Sequence, residues 1–228
     1  MTILFQKRRF PSVKAVLFDM DGTLIDSMST YYAIIRDVME QVGMEITLSR
    51  ELLFESLSRG ETLSNVVFTP GMRHQESIVR RFNTLALEAF REMFSRGDVA
   101  LIDGVDTLLE ELRRREFLLA IVTSSRAEII VPFLKAKNIH PYLSCVIGRF
   151  EASRLKPFPD PLLKCTEILD VHPGEAIYVG DSIIDIQAGK AAGTGTVGVL
   201  TGTSDIDGLK AEAPDAILDS VGDLLTLF

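Results

Sequence analysis

Short, mainly apolar runs recur along the chain, and the stretches between them repeat their apolar positions every three to four residues. Residues 13–18 (VKAVLF) form the first run and end against Asp19. Similar runs occupy residues 117–122, 145–147, 176–179, 196–199 and 216–218. Segments this short and this apolar suit strands buried on both faces. Between residues 105 and 115, Val105, Leu108, Leu109 and Leu112 fall at i, i+3, i+4 and i+7 with charges between them, which predicts an amphipathic helix. Helices are also predicted over residues 126–138, 161–169, 184–192 and 221–225. Pro161 suits a first helical turn, where its missing N–H would have no partner, and Gly193 suits a helix end. Strand and helix alternate, so the expectation is an α/β protein: a three-layer, Rossmann-like parallel sheet covered on both faces. Right-handed crossovers then bring the loops that follow the strands to one sheet edge.

Residues 28–98 break this rhythm. Helical patterns run over residues 29–42, 51–57 and 77–94, and no strand pattern lies among them. The stripe of Tyr31, Ile34, Ile35 and Val38 reads as the core of this block. The expected organisation is an α/β core of residues 1–27 and 99–228, with a helical cap of residues 28–98 inserted after the first strand.

Composition narrows the function classes. Apolar residues make up 46% of the 228, enough for a substantial core. The net charge of −8 argues against a general nucleic-acid grip, which needs a basic surface. It also means that any phosphate site must rely on cations placed locally. Cys145 and Cys165 have no CxxC spacing and read as reduced thiols, neither a metal site nor a disulfide. The N-terminal cluster Lys7-Arg8-Arg9 is followed by no long apolar stretch, so neither a signal peptide nor a membrane span is expected. The expectation is a cytoplasmic monomer or homodimer.

Four motifs stand at or near predicted strand ends. In Asp19-Met20-Asp21-Gly22-Thr23, residues two apart in extended chain point the same way, so Asp19 and Asp21 can face one site. A carboxylate can attack phosphorus, and a second carboxyl can protonate the leaving oxygen. In Ile121-Val122-Thr123-Ser124-Ser125, a hydroxyl and backbone N–H groups could hold a phosphoryl oxygen, although a helix cap reads the same way. Lys156 lies in a loop with prolines at 157, 159 and 161, stiff enough to hold a point charge in place. Gly180-Asp181-Ser182-Ile183-Ile184-Asp185 adds two carboxylates one helical turn apart. Mg²⁺ needs only two or three protein oxygens, which Asp19, Asp181 and the Asp21 carbonyl could supply. Asp185 could ligate directly, act through water, or hold Lys156. Each motif alone has a bland reading as a turn, a cap or a surface lysine. Together they assemble what phosphoryl transfer requires.

DMDGT, the strand-end TSS, the KPFPDP lysine and GDSIID, in this order, resemble the haloacid dehalogenase superfamily, most closely its phosphoglycolate phosphatase and β-phosphoglucomutase group. The resemblance implies a Mg²⁺-dependent phosphatase of a small phosphate ester. In it Asp19 would be phosphorylated and Asp21 would be the acid/base. Thr123 and Ser124 would hold the phosphoryl group, and Lys156 would balance charge. Asp19, Asp21 and Asp181 would bind the metal, with Asp185 close by. A phosphomutase, a pyrophosphatase and a non-catalytic binding protein remain as alternatives. Arg59, in a polar break of the cap, is the candidate for an anionic substrate tail, against a plain surface turn. Arg73, His74, Arg80 and Arg81 read as solvated, and His74, His140 and His172 lie outside every motif.

Overall fold

The computed structural model describes residues 10, 12–45, 47–68 and 75–228. Lys7-Arg8-Arg9, Arg73 and His74 lie outside the described residues. In chain order the elements are β1 (Ala15–Phe18), β2 (Ile25–Asp26), α1 (Met28–Gln41), α2 (Arg50–Ser58), α3 (Leu63–Val67), α4 (Glu76–Arg96), β3 (Ala100–Leu101), α5 (Val105–Arg114), β4 (Leu118–Val122), α6 (Ala127–Ala136), β5 (Cys145–Ile147), α7 (Asp160–Leu169), β6 (Ala176–Gly180), α8 (Ile183–Ala192), β7 (Gly195–Val199), α9 (Ile206–Ala211) and β8 (Ala216–Leu218). The closing stretch Val221–Leu227, expected as a helix over residues 221–225, is a 3-10 helix. Gly222, Asp223 and Thr226 favour α-helix poorly there.

The main sheet has six strands in the order β5-β4-β1-β6-β7-β8, all parallel. Alternation along β1 builds the layers. Val16 and Phe18 cluster with Leu108, Leu109, Ile130 and Phe133 of α5 and α6. Ala15 and Leu17 cluster with Leu162, Cys165 and Ala188 of α7 and α8. Successive strand residues point to opposite faces, so a continuous apolar run fills both layers at once. The thiols of Cys145 and Cys165 are free and 3.5 Å apart.

Helices α1 to α4 form a separate apolar cluster around Ile35, Leu53, Phe68 and Phe82. Its two junctions with the sheet are tied together. Strands β2 and β3 pair antiparallel, Ile25 against Leu101 and Asp26 against Ala100. Strands of two residues carry no periodicity, so nothing in the sequence pattern predicts this ribbon. The short helices α3 and α9 were equally without a pattern.

Candidate active site

Strands β4 and β6 flank β1, with Phe18 in register with Ile121 on one side and Val179 on the other. Neighbouring strands lie about 4.8 Å apart. The residues just beyond their ends, Asp19, Thr123 and Asp181, therefore emerge side by side. Lys156 arrives from the loop between β5 and α7. Its ammonium lies 2.6 Å from Asp19 Oδ1, 2.6 Å from Asp185 Oδ1 and 3.1 Å from the Tyr178 hydroxyl. All three of its N–H donors thus have partners. Its side chain is only 5% exposed.

Asp185 is held from four directions. Besides Lys156, its Oδ1 lies 3.0 Å from the Tyr178 hydroxyl, while Oδ2 accepts from the Ser182 amide at 3.0 Å and the Ser182 hydroxyl at 2.5 Å. Of the roughly four lone-pair directions of a carboxylate, Lys156 and the two Ser182 donors take three, and the single Tyr178 proton is shared between Asp185 and the Val122 carbonyl. Tyr178 was legible only as an apolar strand residue. A tyrosine buried in a strand must find a partner for its hydroxyl, and this one also reaches the Val122 carbonyl at 3.0 Å.

Asp181 is fixed by Thr203, whose amide and hydroxyl lie 2.6 and 2.8 Å from Oδ2, and by Thr23, whose hydroxyl lies 3.3 Å from Oδ1. Two glycines make room for it. A Cβ on Gly202 would stand 2.0 Å from Asp181 Oδ2. Gly22, at φ +79°, would place one 2.8 Å from the Cα of Gly202. Thr23, Thr203 and Gly202 escape sequence reasoning because nothing local marks their approach to residue 181.

Asp21 turns toward the helical block. Its Oδ1 accepts from the hydroxyls of Ser27 at 2.9 Å and Tyr31 at 2.7 Å, and Oδ2 lies 3.2 Å from the Ser125 hydroxyl. Tyr31, expected as apolar core alone, thus has its polar end in the site. Thr123 is buried, and its oxygen accepts from the Ser125 amide at 3.1 Å, which leaves its own proton free to donate. Ser124 is exposed and borders the cavity above these groups.

That cavity, about 680 Å³, lies between the strand ends and the helical block. Asp19, Asp21, Thr123, Lys156 and Asp181 line one side, and Tyr31, Phe54 and Phe90 line the other. Arg59 does not join them. It pairs with Glu55 one turn back, at 2.9 Å, and borders a separate depression with Ile183, Gln187 and Glu212. His172 caps a 3-10 turn through the Gly174 amide, and His140 opens another.

Burial is the dominant electrostatic fact. It pushes the Asp19 carboxyl well above its ordinary range, against the pull of Lys156 and with a further push from Asp185 and Asp181. Burial, with Asp185 next, pushes Asp181 up to about 6 against the Thr203 hydrogen bonds. Burial raises Asp21 too, against its donors Tyr31, Ser27 and Ser125. It would lower Lys156, but Asp185 and Asp19 outweigh it and hold the ammonium well above its usual value.

Asp19, Asp181 and Asp185 each offer a carboxylate oxygen within 4.8 Å of the others. With all three carboxyls ionised, one lysine leaves two negative charges, which one divalent ion would balance. Among the described residues, Oδ2 of Asp19 accepts no hydrogen bond. The cluster therefore fits a hard cation that takes oxygen ligands. Asp185 belongs to it by position, but its oxygens are already occupied.

The family model described as haloacid dehalogenase-like hydrolase matches residues 16–199. The chain is 32% identical to a phosphoglycolate phosphatase of Shigella boydii serotype 4, an alignment covering 95% of this chain and 93% of the relative. It is 31% identical, over the same shares, to that of Escherichia coli K12. A structure described as a "predicted phosphoglycolate phosphatase" from Haemophilus somnus 129pt superposes with a TM-score of 0.84 at 25% identity, covering 95% of this chain and 98% of that one. A structure from Thermotoga maritima assigned as a β-phosphoglucomutase superposes at 0.71 with 23% identity, covering 94% and 98%, which speaks for the fold alone. Among the described residues no helix is long and apolar enough to cross a membrane.

Proposed function

The chain belongs to the haloacid dehalogenase-like hydrolases, and we propose that it hydrolyses the phosphate ester of a small metabolite through an aspartyl-phosphate on Asp19. The observation that carries this reading is the Lys156 ammonium, 2.6 Å from Asp19 inside a buried carboxylate cluster at the strand ends. A surface lysine or a set of capping aspartates would not converge in this way.

An oxygen of Asp19 forms a bond to phosphorus while the ester P–O bond breaks. Asp21 gives its proton to the departing oxygen. Water then attacks the phosphorus, Asp21 takes the proton back, and Asp19 is released as the carboxylate. The Thr123 hydroxyl and the Ser124 amide hold phosphoryl oxygens, and Lys156 neutralises charge on Asp19 throughout. Asp19, Asp181 and the Asp21 carbonyl would hold Mg²⁺, whose contribution when bound is charge neutralisation on the phosphoryl oxygens. Asp185, with its oxygens already engaged, positions Lys156. Residues 28–98 act as a cap that shields the cavity from water. The names of the relatives support phosphoglycolate or a similar small ester as substrate.

The test is phosphate release by purified protein with Mg²⁺, using p-nitrophenyl phosphate and a panel of phosphorylated metabolites that includes phosphoglycolate, hexose 1-phosphates and pyrophosphate. Activity should fall to background in Asp19→Asn and on chelation of the metal. Undiminished turnover in Asp19→Asn would refute the nucleophile. Isomerisation of a hexose 1-phosphate with little phosphate released would shift the assignment to a mutase.

A further inference from the structure

Helix α1 carries one polar atom on its apolar stripe, the hydroxyl of Tyr31. It lies 2.7 Å from Asp21 Oδ1, and the Ser27 hydroxyl lies 2.9 Å from the same oxygen. Oδ2 has one longer contact, 3.2 Å to the Ser125 hydroxyl. The two oxygens of Asp21 are therefore unlike. Two O–H donors fill the lone pairs of Oδ1, which leaves Oδ2 as the oxygen able to carry a proton. Tyr31 is itself held in place. Its ring packs on Phe90 with centroids 4.7 Å apart, and both rings border the cavity. A rigid aromatic body on a helix is a more exact support than a loop side chain.

Resting on the reading of Asp21 as acid/base, we propose that Tyr31 is a positioning residue for the reaction, pinning Asp21 Oδ1 so that Oδ2 delivers the proton. The Oδ2–H bond breaks as an O–H bond forms on the departing oxygen, which also receives the electron pair of the broken P–O bond. In the second half Oδ2 takes a proton from the attacking water. Without the Tyr31 hydroxyl, the carboxyl can rotate about its Cβ–Cγ bond and present either oxygen. A merely structural tyrosine, clamping α1 to the sheet, would affect every substrate alike.

Leaving groups separate the two cases. An alkoxide is a strong base and needs the proton as it departs, whereas p-nitrophenolate departs without one. The experiment compares kcat/KM, which covers the steps through release of the leaving group, for phosphoglycolate and p-nitrophenyl phosphate in wild type, Tyr31→Phe and Asp21→Asn. Phenylalanine keeps the ring and its packing, and the ratio of the two substrates does not depend on how much of a sample is folded. Tyr31→Phe should lose about 10–100-fold on the alkyl ester and under about threefold on the aryl ester. Asp21→Asn should show the same selectivity with a larger loss, about 10²–10⁴-fold on the alkyl ester. Selectivity in Asp21→Asn but equal or absent losses in Tyr31→Phe overturns the proposal alone. No selectivity in Asp21→Asn overturns the acid/base reading and this proposal with it.

Discussion

Lys156→Met removes the ammonium from the carboxylate cluster while keeping an unbranched side chain of similar length. Three N–H bonds go at once, to Asp19, Asp185 and the Tyr178 hydroxyl. The side chains left behind are 8% exposed for Asp19 and 2% for Asp185, so water replaces the ammonium only in part. Removing one partner of a buried pair costs about 3–5 kcal/mol. At this chain length each kcal/mol lowers Tm by about 2–4 °C, so the melt should drop by about 6–20 °C. The loss must also depend on pH. Burial already raises Asp19 above the reference value of 3.8, and Lys156 is the charge that opposes it. Without that charge the carboxyl rises further. A carboxyl raised in the folded state binds its proton more tightly there than in the unfolded chain. Stability is therefore greatest at low pH and declines as pH climbs from the unfolded pKa through the folded one. The deficit should be large near about pH 8 and small near about pH 5. The assay is denaturant unfolding in chelator-containing buffer, since a divalent cation would mask the missing charge. Lys156→Met/Asp185→Asn, with one carboxylate fewer, should recover much of the stability but none of the activity. A loss below about 1 kcal/mol near about pH 8, or one that is equal at both pH values, would refute the reasoning.

Gly202→Ala should raise the Mg²⁺ concentration for half-maximal activity by about 10–100-fold, because its Cβ would stand 2.0 Å from Asp181 Oδ2 and force that carboxylate aside. An unchanged metal titration would remove Asp181 from the metal site. Arg59→Ala should leave kcat/KM within about twofold and stability within about 0.5 kcal/mol, since its ion pair with Glu55 is exposed. A tenfold loss on phosphoglycolate, read by steady-state kinetics, would return Arg59 to substrate binding.

Much of the scaffold was legible because its signals are local. A run such as 118–122 has to be buried on both faces whatever surrounds it, and Leu108, Leu109 and Leu112 face one way in any helix. The helical block stood out for the same reason, by its period. The motifs at the ends of β1, β4 and β6 could be placed at one sheet edge because parallel strands share a direction, and Asp19, Thr123 and Asp181 indeed emerge together. Where a side chain turns beyond that point is a different matter. Tyr31 sits on an apolar stripe and Tyr178 in an apolar strand, yet each sends a hydroxyl into the cluster. Arg59 is next in sequence to Gly60, which lines the cavity, and still points away to Glu55. Asp185 has three open roles in the sequence, and no spacing along the chain shows the groups of Lys156, Tyr178 and Ser182 that surround it in the fold. Spacing along a chain dictates period and direction of run. Contacts between residues more than a hundred positions apart, such as Thr203 with Gly22's neighbour Thr23 through Asp181, depend on how layers pack, and only the folded chain contains that information.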